Sequence, residues 1–306
     1  MTTLATPEGS STRDTAAPTI RGRLFIIGCA RSGTTLLQSF LAPHPAVLSF
    51  PETAVFGRLF YNEVARPGSS TYSIFLDNAN RHRTLHRRTQ LAYRHAVALF
   101  GMFERLDLET LLPVRSRSVA EFVAGYVQAV DRLTLERGRS MWLEKTPENI
   151  RYVPEILNVV PGARFINILR DGRQNVAALY DMSQKYADRW WVRYRDIDEA
   201  IEQWNQCARL TRRLLDVPEV LLIRHERLRA DPEPVLREVC RFAGLEFAPD
   251  MIERRVEGAQ AVVTHLEPWK ADVLNEVRAI DDRFNEVFDA AQRAYVEARL
   301  ERIDFQ

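Results

Sequence analysis

Two patterns of hydrophobic and polar residues alternate along the chain. Short, wholly apolar runs recur at Leu24-Phe25-Ile26-Ile27, which ends at Gly28, and at Ala46–Ser49, Met141–Leu143, Arg164–Leu169 and Glu219–Arg224. Runs of this length without polar alternation predict strands buried on both faces, as in a parallel sheet. Between them a helical period predicts helices over 34–41, about 53–62, 84–105, 117–136, 147–159, 174–186, 197–215 and 233–243. Strands alternating with helices imply one α/β domain, with a central parallel sheet of about five strands flanked by helices. Residues 60–138 carry no strand signal and are expected to form a helical insertion near the ligand-facing edge, and 271–304 to pack back as helices. The first twenty residues, rich in Thr, Ser, Ala and Pro, are expected to be a disordered tail, which leaves 21–306 as the domain.

Composition narrows the classes of function. With 306 residues, 46% of them hydrophobic, the chain can bury a large core, and its formal charge of +1 argues against a binder of nucleic-acid polymers. Cys29, Cys207 and Cys240 have no CxxC spacing and the six histidines are scattered, so neither a disulfide framework nor a metal site is expected. No stretch is apolar enough to span a membrane, and the N-terminus lacks the apolar core of a signal peptide; the expected location is the cytoplasm, without a membrane partner. Only three of the 42 basic residues are lysines: Lys145, Lys185 and Lys270. A lysine in a suggestive place therefore stands out.

The first predicted strand runs into Gly28-Cys29-Ala30-Arg31-Ser32-Gly33-Thr34-Thr35 and then a helix. This fits the phosphate loop GxxxxGK[ST] except that Thr34 stands where the lysine would be. Backbone N–H groups of Ser32, Gly33, Thr34 and Thr35 can still cradle an anion at the helix start, with Arg31 as the nearby cation. A triphosphate needs the missing lysine and a metal-holding acid. A phosphosulfate, carrying less charge, does not.

The segment RSGTTLL after a buried strand resembles the 5′-phosphosulfate-binding motif of sulfotransferases that use 3′-phosphoadenosine 5′-phosphosulfate (PAPS). It is similar to the branch that includes tyrosylprotein sulfotransferases and many bacterial sulfotransferases, and the likeness runs in pieces from about residue 23 to residue 245. It implies a P-loop-like fold and a second cofactor element, a strand ending in an arginine that binds the 3′-phosphate. Here that element is Phe165–Leu169 followed by Arg170-Asp171-Gly172-Arg173. An arginine at the carboxyl end of a parallel strand faces the crevice where ligands of open sheets bind, although pairing with Asp171 is the competing explanation. The family's serine eight positions further on is Ala178 here, and Ser183 and Arg173 are the candidates to replace its hydroxyl. The resemblance also places His225 near the adenine, and Lys270 on a late loop that closes over the nucleotide.

Sulfuryl transfer to a hydroxyl needs a base for the acceptor proton and cations for the charge that develops. Glu52, in Pro51-Glu52-Thr53 and 21 positions after Arg31, has the spacing and context of the family's catalytic glutamate; otherwise it is a carboxylate placed well for a helix dipole. Lys145, in Glu144-Lys145-Thr146-Pro147, lies at a strand end 25 positions before Arg170, close to the family's catalytic lysine. The resemblance thus implies Arg31 and Lys145 as stabilisers of the transferring group and Glu52 as the base, with no metal.

The acceptor is the least determined part. A small molecule or carbohydrate is expected. Arg81-His82-Arg83, Arg87, Arg88 and Arg94 form either a solvated basic face or a steering surface for an acidic acceptor, and Trp190-Trp191-Val192-Arg193-Tyr194 either core or a stacking wall. Two rival functions are a P-loop kinase-like phosphotransferase and a nucleotide-binding module without catalysis. The oligomeric state is open.

Overall fold

A computed structural model of the chain describes residues 19–64, 85–186, 191–263, 268–275 and 282–303. The expected tail and Arg81-His82-Arg83 lie outside the described residues, apart from residues 19 and 20.

All five predicted strands form: β1 (Gly22–Gly28), β2 (Val47–Phe50), β3 (Met141–Lys145), β4 (Ala163–Leu169) and β5 (Val220–Arg224). They make one sheet in the order β2-β3-β1-β4-β5, with every neighbouring pair parallel. Side chains alternate across the sheet, so each strand feeds two cores at once. Leu24 and Ile26 of β1 join Val47, Leu143, Ile166 and Ile223 on one face. Phe25 and Ile27 turn to the other, where Phe25 stacks on Phe165 at 5.0 Å and meets Trp142 edge-on at 5.2 Å. This double burial is why the strands read as unbroken apolar runs.

The helices follow the predicted periods with local corrections. The expected helix over 147–159 splits into a 3-10 turn, Pro147–Arg151, and a helix, Val153–Val159, because Pro154 can occupy only the first turn of a new helix. The helix expected from 53 begins at Val55, which leaves 51–54 outside any helix or strand. β3 continues to Lys145 rather than ending at Leu143, since its ladder with β1 runs on through Ile26. In 85–138, the described part of the insertion, there are two long helices, Leu85–Met102 and Val119–Glu136, and no strand. Their apolar sides (Ala92, Ala96, Phe100, Phe122, Tyr126) cover the Phe25 face of the sheet. Near the C-terminus, Phe284 and Phe288 pack with Val176 and Leu179 of the helix Gly172–Lys185. No helix among the described residues is long and apolar enough to cross a membrane.

Candidate active site

The carboxyl ends of the five strands open into a cavity of about 1100 Å³. Its floor is the turn after β1. Gly33 caps the helix Thr34–Leu41 at φ 90°, with no side chain capping the end, so first-turn N–H groups are open to an anion. Arg31, at φ 65°, also sits in the left-handed region. The loop is braced from below: Asn175 Nδ2 donates to Ala30 O at 2.9 Å and to Ser32 Oγ at 3.1 Å. Gly33, Thr34 and Thr35 line the cavity, whereas Ser32 is fully buried against Asn175 and does not.

Gly33 has a strict requirement for its missing side chain. A Cβ there would stand 2.3 Å from His225 Cδ2, and the left-handed backbone adds strain of about 1–3 kcal/mol for any other residue. Gly33→Ala is therefore expected to lower the urea midpoint of unfolding and to weaken binding of phosphate-bearing nucleotides by pushing the His225 ring into their space. An unchanged midpoint would show that the ring has room to yield.

Around the loop the cations converge. Arg170, just past β4, donates from Nη1 to the Arg31 carbonyl at 2.9 Å rather than pairing with Asp171. Asp171 instead caps its own helix, accepting from Arg173 N at 3.0 Å and Gln174 N at 3.2 Å. Arg31 donates to Trp269 O at 2.9 Å and lies 3.7 Å from Asp272, while its Nε is buried without a hydrogen-bond partner among the described residues. Burial, then repulsion from Arg170, pulls the Arg31 pKa down to about 10. Burial and the nearby Arg170, Arg229 and Arg31 push His225 well below its ordinary value, so the ring is neutral at pH 7. Such mutual repulsion is unfavourable until an anion enters.

Glu52, from the turn after β2, lies across the cavity. Its Oε1 accepts from Lys145 Nζ, which reaches it from the end of β3, and from Lys270 Nζ at 2.9 Å. Its Oε2 makes no hydrogen bond among the described residues, and the side chain is 31% exposed. Burial alone would raise the pKa of Glu52; the charges and hydrogen bonds of Lys145 and Lys270 outweigh it and hold the pKa at about 2. Lys145 is only 1% exposed, which is unusual for an ammonium and requires a built partner.

The remaining predicted residues fall in two groups. Lys270 reaches the cavity, yet it touches Glu52. Arg173, expected at the 3′-phosphate, stays on the surface, paired with Asp171 and Glu297, and Ser183 donates to Tyr180 O at 2.6 Å; neither lines the cavity. Trp191 and Tyr194 are at once core and cavity wall, with Trp269 edge-on to Trp191 at 5.7 Å. Of the basic run, Arg87 and Arg94 are solvent-exposed, Arg88 donates to Leu59 O, and none of the three lines the cavity.

The model of the family described as the Sulfotransferase family matches residues 23–249. The chain belongs to the sulfotransferase family. Among curated proteins, this sulfotransferase-family chain is 24% identical over 226 residues to protein-tyrosine sulfotransferase 1 of Danio rerio, covering 73% of this chain and 53% of that protein. It is 22% identical over 222 residues to the protein-tyrosine sulfotransferase of Drosophila melanogaster, covering 72% and 37%. The chain thus spans about half or less of the length of these two relatives. Among solved structures, the sulfotransferase domain of the Synechococcus PCC 7002 olefin synthase superposes with a TM-score of 0.54 at 16% identity, covering 94% of this chain and 97% of that one. The sulfotransferase domain of the curacin biosynthetic pathway gives 0.54 at 18%, covering 92% and 96%. These likenesses show the fold.

Several cavity residues of this sulfotransferase-family chain carried no signal in the sequence. Arg229 and Arg283 are two arginines among 39, and Arg58 and His95 come together from separate helices, with Arg58 Nε donating to His95 Nε2 at 3.3 Å. Only the pairing of distant segments could have revealed them.

Proposed function

We propose that residues 21–306 act as one sulfotransferase unit that moves the sulfuryl group of PAPS to a hydroxyl of a small molecule or glycoside. The observation that carries this reading is the buried Lys145 ion-paired with Glu52 beside a phosphate loop that has no lysine of its own. The residues present suit the donor. The open first-turn N–H groups, the Arg31 Nε that has no partner among the described residues and the space kept by Gly33 all offer contacts to an anion. Arg31 and Gly33–Thr35 would hold the phosphosulfate end, Arg170 the 3′-phosphate, and His225 the base side, with Arg229 adding positive charge where Ala178 offers none.

When bound, the donor supplies a sulfuryl group whose bond to the 5′-phosphate oxygen breaks as a bond to the acceptor oxygen forms. Glu52 receives the acceptor proton through Oε2. Held at about 2, its carboxylate is ionised at neutral pH but a weak base. Anionic donor groups competing for Lys145 and Lys270 would draw those cations off Glu52 and strengthen it as a base. Lys145 and Arg31 then face the charge on the leaving side. No residue of the described set is asked to hold a metal.

The likeness to protein-tyrosine sulfotransferases points to a phenolic hydroxyl as one acceptor type. The Trp191–Tyr194 wall would suit a flat ring or a sugar equally.

Thermal unfolding with 3′-phosphoadenosine 5′-phosphate (PAP), AMP or Mg-ATP at equal concentrations tests the donor. A ligand at about 100 times its Kd stabilises the folded state by about 2.7 kcal/mol. A large rise in Tm with PAP and little with AMP is expected. Stabilisation by Mg-ATP alone would replace this reading with a kinase-like one.

A further inference from the structure

Beside Lys145 stands a second buried charge that the proposed chemistry does not use. Glu144 is 1% exposed and makes no ion pair among the described residues. Its carboxylate instead gathers four neutral donors. Oε1 accepts from Thr53 Oγ1 at 3.0 Å, from Thr53 N at 3.3 Å and from Thr146 Oγ1, and Oε2 accepts from Asn149 Nδ2 at 2.9 Å. Burying a carboxylate without a cation is costly, and burial, only partly offset by these bonds, raises its pKa to about 7. A neutral apolar residue would fill the same space at less cost, so the carboxylate calls for a purpose.

Its partners supply one. Thr53 directly follows Glu52, in the segment 51–54 that belongs to no helix or strand. That segment ends at Ala54, held at φ 52°, where a non-glycine residue is strained. Ala54 N is in turn bonded to Thr146 Oγ1 at 3.4 Å, which itself donates to Glu144. The tip of β3 thus holds the Glu52 turn through Glu144 and Thr146 while Lys145, between them in the chain, holds the Glu52 side chain. We propose that Glu144 is a positioning residue for Glu52, fixing the turn after β2 through Thr53 and Thr146 so that the carboxylate meets Lys145 and Lys270. Its catalytic meaning rests on the reading of Glu52 as the acceptor base.

The scarcity of lysine makes this testable without an acceptor. A sample labelled with 13C at lysine Cε gives three side-chain signals, for Lys145, Lys185 and Lys270, assignable by single Lys→Arg replacements. Lys185 pairs with Asp181 at 2.8 Å and serves as an internal reference. Glu52→Gln sets the positions of the Lys145 and Lys270 signals when the Glu52 charge is lost. Thr53→Val removes one donor of the grip with little change of volume. Glu144→Gln keeps the shape, and the Asn149 amide, whose Oδ1 is buried without a partner among the described residues, can turn to accept from the new amide. Both variants are expected to move the Lys145 and Lys270 signals towards their Glu52→Gln positions, more in Thr53→Val, while Lys185 stays. With a turned-over acceptor they are expected to lower kcat by about tenfold to a hundredfold with KM for the donor little changed. Lys145 and Lys270 signals at wild-type positions in folded Thr53→Val and Glu144→Gln would overturn the proposal, and Thr53→Val alone decides if the other does not fold. Binding of PAP to the same samples keeps the two ideas apart. Moved signals without PAP binding in any sample would overturn the donor assignment and leave the positioning role standing.

Discussion

Glu52→Gln is expected to lower kcat by about 10²–10⁴-fold, the usual contribution of a general base, while PAP binds as tightly as before or slightly more so. The amide keeps the shape of the side chain and cannot take a proton. It also removes a negative charge from the cavity that receives the phosphates, which is why affinity should not fall. Transfer of labelled sulfate from PAPS to a panel of phenols and sugars, paired with PAP titration calorimetry, measures both numbers. Full turnover in Glu52→Gln would remove Glu52 as the base. The pH profile adds a second check. Because Lys145 and Lys270 depress the pKa of Glu52 to about 2, the group stays ionised throughout the neutral range in the donor-free protein. Any acidic limb of kcat/KM near neutrality then belongs to another group: Glu144, raised to about 7, and Glu148, raised by burial and by the Glu52 charge, both act on Glu52.

Lys145→Met is expected to reduce kcat by about 10²–10³-fold, the scale of losing one preorganised donor to a transition-state oxygen. Methionine matches the apolar stem of the buried lysine but leaves Glu52 with Lys270 as its one ion-pair partner among the described residues. The sign for Glu52 is clear: with one cation gone its pKa rises towards the ordinary carboxylate value. The variant should therefore show a larger loss at low pH than at high pH, because a growing fraction of the base is protonated there. A flat ratio of wild type to variant across pH, with kcat unchanged, would mean that Lys145 serves the fold alone.

The sheet was legible because its residues obey a local rule. Apolar runs with no polar alternation mean strands covered on both faces, and all five formed where the pattern placed them. The phosphate loop was legible for the same reason, since strand, loop and helix follow one another in the chain. Glu52 and Lys145 could be singled out one at a time, by resemblance and by the rarity of lysine, yet nothing in their order says that they touch. Their contact depends on β2 and β3 lying side by side, a long-range fact. Glu144 carried no signal of its own in the sequence, and alternation along β3 sends its side chain to the face opposite Lys145. Lys270 was expected near the nucleotide from its loop alone; only the folded chain shows that it also reaches Glu52.

The order of the strands divides the labour of the cavity by segment. From one edge of the sheet to the other, the strand ends offer Glu52, Lys145, the phosphate loop, Arg170 and His225. The helical insertion enters the chain between the first two of these and nowhere else, and contributes His95 to the wall beside Arg58. Exchange of that one stretch would leave the other three strand ends as they are. One wall of the cavity and the strand ends across from it are thus encoded in separate stretches of the gene.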